Sequence, residues 1–142
     1  MPPDSSDIDA ALLAKLNSDT ELTGYVQNLA WMDEAPPKST RFVIVSLIDE
    51  VDEQQFERRS YEDALYLVKA VVLSTVTNAN ALVKSAAARI DALLENGTLT
   101  VNGYALMTMH RETRIRITEV DEVDPTVRWF HRGGQYRLVM ST

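Results

Sequence analysis

No cysteine occurs in this chain, which excludes disulfides and thiolate metal sites and removes the commonest reactive nucleophile. Histidine occurs only twice and glycine only five times in 142 residues. Neither a GxxxxGKS phosphate loop nor a GxGxxG fingerprint is present. No apolar run approaches the ~20 residues that span a bilayer. The opening MPPDSSDID is acidic and polar, the reverse of a secretory signal. Basic charge is short as well: the formal net charge is −7, which disfavours neutralising a phosphate backbone.

What remains is the material of one soluble domain spanning 1–142. A chain of this length buries roughly 70% of its unfolded surface in one core. Hydrophobic residues at 45% and charged residues at 25% set aside disorder for most of it. Its charge is lopsided. Residues 1–57 hold three Lys/Arg against twelve Asp/Glu, and residues 58–142 hold eleven against nine. One acid-rich and one less acidic surface suit stacking against partners.

The pattern predicts an α+β fold, an antiparallel or mixed sheet with two main helices packed against it. Residues 1–7 are expected to be largely disordered, and a helix starts near Ser6 with Ile8, Leu12 and Leu16 at helical spacing. Ser18 to Glu21 reads as a capping box opening a short second helix that Gly24 closes. Leu29–Met32 reads as a short strand, and Ala35–Pro36–Pro37 as loop. Arg41–Ile48, apolar on both faces, is expected centrally in the sheet, followed by a long strand over Tyr61–Thr75. The acidic stretch between them is long enough to predict a contact loop rather than a tight hairpin.

A further helix follows Asn78, with Leu82, Val83, Ala86, Ala87, Ile90, Leu93 and Leu94 in one stripe and Gly97 at its left-handed terminus. Asn102–Gly103 signals a type I′ hairpin. Residues 103–141 then read as two long strands joined by an acidic corner at Glu119–Pro125, with a charged ladder of Arg111, Glu112, Arg114, Arg116, Arg128, Arg132 and Arg137 on the exposed side. Gly133–Gly134 marks a bend or bulge.

Catalytic constellations are thin. His110, Glu112 and His131 are of the ligand types of a two-histidine, one-carboxylate metal site, but arginines crowd them. The acid pairs Asp49–Glu50, Asp52–Glu53 and Asp121–Glu122 lie in solvated runs, where nothing displaces their pKa for acid/base work. Trp129, Phe130 and Tyr136 interleave with arginines as in single-strand nucleic-acid binders, yet half of them are expected to face the core and the arginines to pair with Glu119–Asp124. No cofactor and no catalysis are expected.

Four stretches resemble the tail terminator (tail completion) family of long-tailed bacteriophages: Ala35–Ser46 with its APP and RFVIVS, the helix ALVKSAAARIDALLEN at Ala81–Asn96, RETRIRITEVDEV at Arg111–Val123, and VRWFHRGGQYR at Val127–Arg137. The likeness runs from about Ile8 to Val139. It implies a small non-enzymatic virion protein at the tail–neck junction, assembled in the host cytoplasm. There a homohexameric ring would cap the head-proximal end of the tube of major tail protein, stop its polymerisation and present a surface to the head–tail connector or stopper. A stopper itself, or an RNA-binding module, are the competing readings. The family brings no essential residue, so interface candidates rest on charge and position: Arg58, Arg59, Arg111, Arg114, Arg116, Arg128 and Arg132.

Overall fold

The computed structural model describes the backbone at residues 5–55 and 58–141, and the side chains of these residues except at 5–6, 50–55, 58–62 and 107. The order of elements is α1 (Ser5–Ser18), α2 (Thr20–Val26), β1 (Ala30–Met32), β2 (Arg41–Gln55), β3 (Arg58–Leu73), α3 (Ala79–Leu94), β4 (Ala105–Val120) and β5 (Arg128–Ser141). The strands form one sheet in the order β1-β2-β3-β5-β4, with β1 parallel to β2 and every other pair antiparallel. The fold is α+β, with α1 and α3 as the two main helices.

Helical spacing places Ile8, Leu12 and Leu16 of α1 on one fully buried stripe. On α3 the buried stripe is Val83, Ala86, Ile90 and Leu94. Both meet one face of the sheet, where Val43, Val45, Tyr66, Val68, Val72, Tyr136 and Leu138 are buried. A strand turns alternate residues to opposite faces. On β5 the even-numbered residues therefore face the helices, and the odd-numbered ones, among them Trp129, His131 and Arg137, face the other way.

Several expectations change. The acidic stretch after Ile48 is a strand: β2 and β3 stay paired as far as Gln55 and Arg58, with irregularities near Ile48 and Ser60. Residues 56 and 57, which join them, lie outside the described residues, so the contact loop becomes one long hairpin. Acidic residues here replace the apolar alternation that marks a strand, which is why charge alone misled. The expected interior place of Arg41–Ile48 holds over Val43–Val45, which are flanked by β1 and β3; beyond Val45 only β3 pairs with β2 among the described residues. The disorder expected over 1–7 does not reach Ser5–Asp7, which are helical, and residues 1–4 lie outside the described residues.

Caps shift by a residue or two. Asp19, not Ser18, caps α2, its carboxylate accepting the Leu22 N–H at 2.9 Å. Ser18 instead donates back to the Lys15 carbonyl. Gly24 lies inside α2, which ends at Val26. At the end of α3 the positive φ belongs to Asn96, at 54°. Gly97 is needed for space: a Cβ there would meet the Leu93 carbonyl oxygen at 2.0 Å.

Asn102–Gly103 does make a turn, closed by the Tyr104 N–H to the Val101 carbonyl at 3.1 Å. Only Gly103 has positive φ, 85°, so the turn is of type II form and joins no strand before it. The backbone ahead of it bonds elsewhere. Lys15 donates to the Thr98 carbonyl at 2.6 Å, and Val101 is buried. Gly133–Gly134 is no bulge either: β5 is continuous, and the irregularities of this ribbon fall on β4, at Leu106/Thr108 and Arg111/Thr113. The two glycines admit close neighbours instead. A Cβ on Gly133 would lie 2.1 Å from the Val68 carbonyl oxygen, and one on Gly134 2.7 Å from that of Thr113.

Candidate functional site

The irregularity after Arg111 sorts the charged ladder onto two faces. Arg111 faces the helices; Glu112 is the extra residue; Arg114 and Arg116 then fall opposite Gly134 and Arg132, again on the helix side. Glu112 and Arg137 share the other face, where the Arg137 guanidinium donates to both Glu112 and Asp63. That arginine is held well above the ordinary guanidinium range by hydrogen bonds to Glu112 and Asp63. The single exposed ladder expected of this segment does not exist.

On the helix side the ladder meets α3. Its Ala87 and Ala88 offer little bulk, and on the facing strand Gly134, which lies on the helix side, has no side chain; a cleft of about 450 Å³ opens between α3 and the β4–β5 ribbon. Lys84, Asp91, Arg111, Arg114, Arg116, Arg132 and Tyr136 line it. Its inner end is neutralised: Asp91 Oδ1 accepts from Arg111 at 2.7 Å and from the Tyr136 hydroxyl at 3.0 Å. The Arg111 backbone N–H is bound by the Glu95 carboxylate. Burial and the adjacent Asp91 carboxylate push the Tyr136 hydroxyl far above the usual phenol range. Its hydroxyl therefore remains a donor at all ordinary pH.

The outer part is different. The side chains of Lys84, Arg114, Arg116 and Arg132 have no hydrogen bond or ion pair with any of the described residues. Arg116 and Arg132 are direct cross-strand partners, and like charges so placed destabilise a sheet. The internal pairing expected between these arginines and Glu119–Asp124 does not form. Such a surface can hold carboxylates or phosphates by charge-assisted hydrogen bonds.

Of the seven predicted interface residues, four (Arg111, Arg114, Arg116 and Arg132) come together in the cleft. Arg128 does not line it; its guanidinium donates to the Pro125 carbonyl at 2.6 Å and staples the acidic corner. Arg58 and Arg59 open β3 opposite Gln55 and Gln54, at the tip of the long hairpin, and their side chains lie outside the described residues. Lys84 was not foreseen. Its signal was helical spacing, since Lys84, Ala88 and Asp91 are one turn apart on the face flanking the apolar stripe.

His110 and Glu112 are not joined by His131. His110 pairs with Arg137 and His131 with Ile117, so six residues of β5 separate them, about 20 Å at the strand rise. His131 is buried, and neither ring nitrogen has a hydrogen-bond partner among the described residues. Glu119 Oε1 lies 3.5 Å from Nε2. Burial, then the nearby Lys69 ammonium, lowers the imidazole pKa. A second, shallower groove of about 370 Å³ surrounds it, lined by Phe42, Ile44, Lys69, Val71, Glu119 and Trp129 among others. The aromatics divide much as expected: Tyr136 is buried and Phe130 packs on the core, while Trp129 tilts against Phe42 on the far face with ring centroids 6.1 Å apart.

No known family model matches the sequence, and no curated protein matches it. The comparison of folds is decisive for architecture. A chain from the virion of a native gene transfer agent particle superposes with a TM-score of 0.65, covering 97% of each chain at 19% identity. The two chains share one fold. A second solved structure, whose name states no function, superposes at a TM-score of 0.55 and 12% identity over 95% of each chain. At these identities the likeness is one of fold, extending over nearly the whole of each compared chain. No helix of the described residues is long and apolar enough to cross a membrane.

Proposed function

We propose that this chain is a structural, non-catalytic virion protein that caps the head-proximal end of a phage-type tail tube. Six copies form the ring; one side ends tube polymerisation and the other receives the head–tail connector. Its partners are further copies of itself, the major tail tube protein and the connector, with no nucleic-acid sequence read and no membrane involved. The observation that carries this reading is the end-to-end fold shared with a chain of a gene transfer agent virion. The tail-terminator resemblance of Arg111–Val123 and Val127–Arg137 narrows it to the tube end. A basic cleft left unneutralised in an acidic chain supports an assembling role, because such charge calls for an external counterpart.

Light scattering on the purified protein mixed with tail tubes is the test. Hexamers should be present and mean tube length should fall as the protein is titrated into a polymerising tube. A protein that stays monomeric with tubes and leaves their length distribution unchanged would sink the reading.

A further inference from the structure

The four cleft cations that have no side-chain partner among the described residues stand beside a slim apolar wall, Ala87 and Ala88. An occupant that matches this space brings anionic groups together with a small apolar group, and carboxylates beside a small aliphatic side chain are one such set. The same chain carries that combination at the end of the β4–β5 ribbon. Val123 is 92% exposed and lies between Glu122 and Asp124. Glu122 has no partner among the described residues.

The corner is already ordered. The Asp121 carboxylate accepts the N–H groups of Val123 at 3.2 Å and Asp124 at 2.9 Å, and the Trp129 indole N–H at 2.9 Å. The Asp124 carboxylate accepts the Thr126 N–H at 3.0 Å and its hydroxyl at 2.6 Å. An ordered turn loses little entropy on docking. It cannot reach its own cleft, because five residues of ribbon carry it roughly 16 Å beyond Arg116.

We propose that the corner Asp121–Asp124 of one copy docks into the basic cleft of the next. Val123 packs on Ala87 and Ala88, and Glu122 and Asp124 face Lys84, Arg114, Arg116 and Arg132. The two patches differ, so the contact is heterologous and repeats head to tail until it closes as a ring or runs on as a filament. Closure as a ring rests on the tail-cap reading; the pairing itself does not.

A chain without cysteine makes the test direct. Val123→Cys and Ala88→Cys proteins, mixed in equal amounts and oxidised, should give several-fold more mixed disulfide dimer than Val123→Cys with Ala14→Cys. Ala14 is exposed on α1, away from the cleft. Adding Arg114→Glu and Arg132→Glu to the Ala88→Cys protein should abolish the excess, and Glu122→Arg on the Val123→Cys partner should restore it. Circular dichroism checks that each variant folds, and Ala87→Cys probes the same wall if Ala88→Cys does not. Cross-linking at the control level overturns the pairing, including when the cleft retains phosphate or an oligonucleotide instead. Capped tubes without the cross-link leave the tail role standing and remove this contact. The cross-link in a protein that never alters tube length does the reverse.

Discussion

At the residue scale, His131 is the group whose surroundings contradict its chemistry. An imidazole with both nitrogens unpartnered among the described residues is tolerated only while neutral, and its lowered pKa follows from burial. The unfolded chain binds a proton near pH 6.5 and the folded chain only at lower pH. In that window unfolding takes up protons, so stability rises with pH. It is fully present above about 6.5 and declines as pH falls toward the folded value. The facing charges are Lys69 and Glu119, with Asp33 and Glu34 at the groove edge. Urea midpoints measured from about pH 7.5 down to about 5 should fall in the native chain and lose most of that slope in His131→Phe. An identical slope in the variant would move its origin elsewhere. The carboxylates held low by hydrogen bonds act at lower pH. Asp19, paired with Arg89, and Asp121, bound by the Asp124 N–H, contribute stability that is lost only as pH falls through their own lowered pKa values.

At the element scale, α3 fixes both the core and the cleft. Ile90 is fully buried while Leu93 is only partly so. Ile90→Ala should therefore destabilise by about 2–5 kcal/mol and Leu93→Ala by about 1 kcal/mol, read from denaturant midpoints. Equal losses would mean that the helix is rotated from the orientation described. The helices were legible because an apolar period of 3.6 residues matches a helix with one buried side and no strand. The corner at Glu119–Pro125 was legible because two long alternating runs flank it. The hairpin of β2 and β3 was not. Its acidic half lacks the apolar alternation that marks a strand, and only pairing with a partner strand reveals it. The sorting of the arginines was hidden for a related reason. One extra residue near Glu112 exchanges the faces of everything beyond it, and no local feature of RETRIRIT announces that irregularity. Spacing alone did place Arg114 and Arg116 side by side correctly.

At the scale of the whole molecule, five cations gather in one cleft of a chain whose net charge is −7. Exposed charges act over about a Debye length, ~8 Å at physiological salt, and complementary fields chiefly set the rate of encounter. Arg114→Glu with Arg116→Glu removes two exposed cations that bond to nothing within the described residues. Circular dichroism and melting should be unchanged, or slightly improved by the relief of Arg116 against Arg132. Association with further copies or with tubes should slow, and its dependence on salt should flatten. Stopped-flow rates across a salt series decide the matter; an untouched slope would make these arginines a solvated surface only.

The short reach of β1 has a consequence for the protein before it meets any partner. Beyond Val45 no described strand pairs with β2 on its outer side, so its backbone from Ser46 to Gln55 is an open edge of the kind that nucleates aggregation. Along that edge the sequence sets Asp49, Glu50, Asp52 and Glu53. Like charge along an open edge opposes the pairing of two such edges, so copies of this chain should resist edge-to-edge association at this margin.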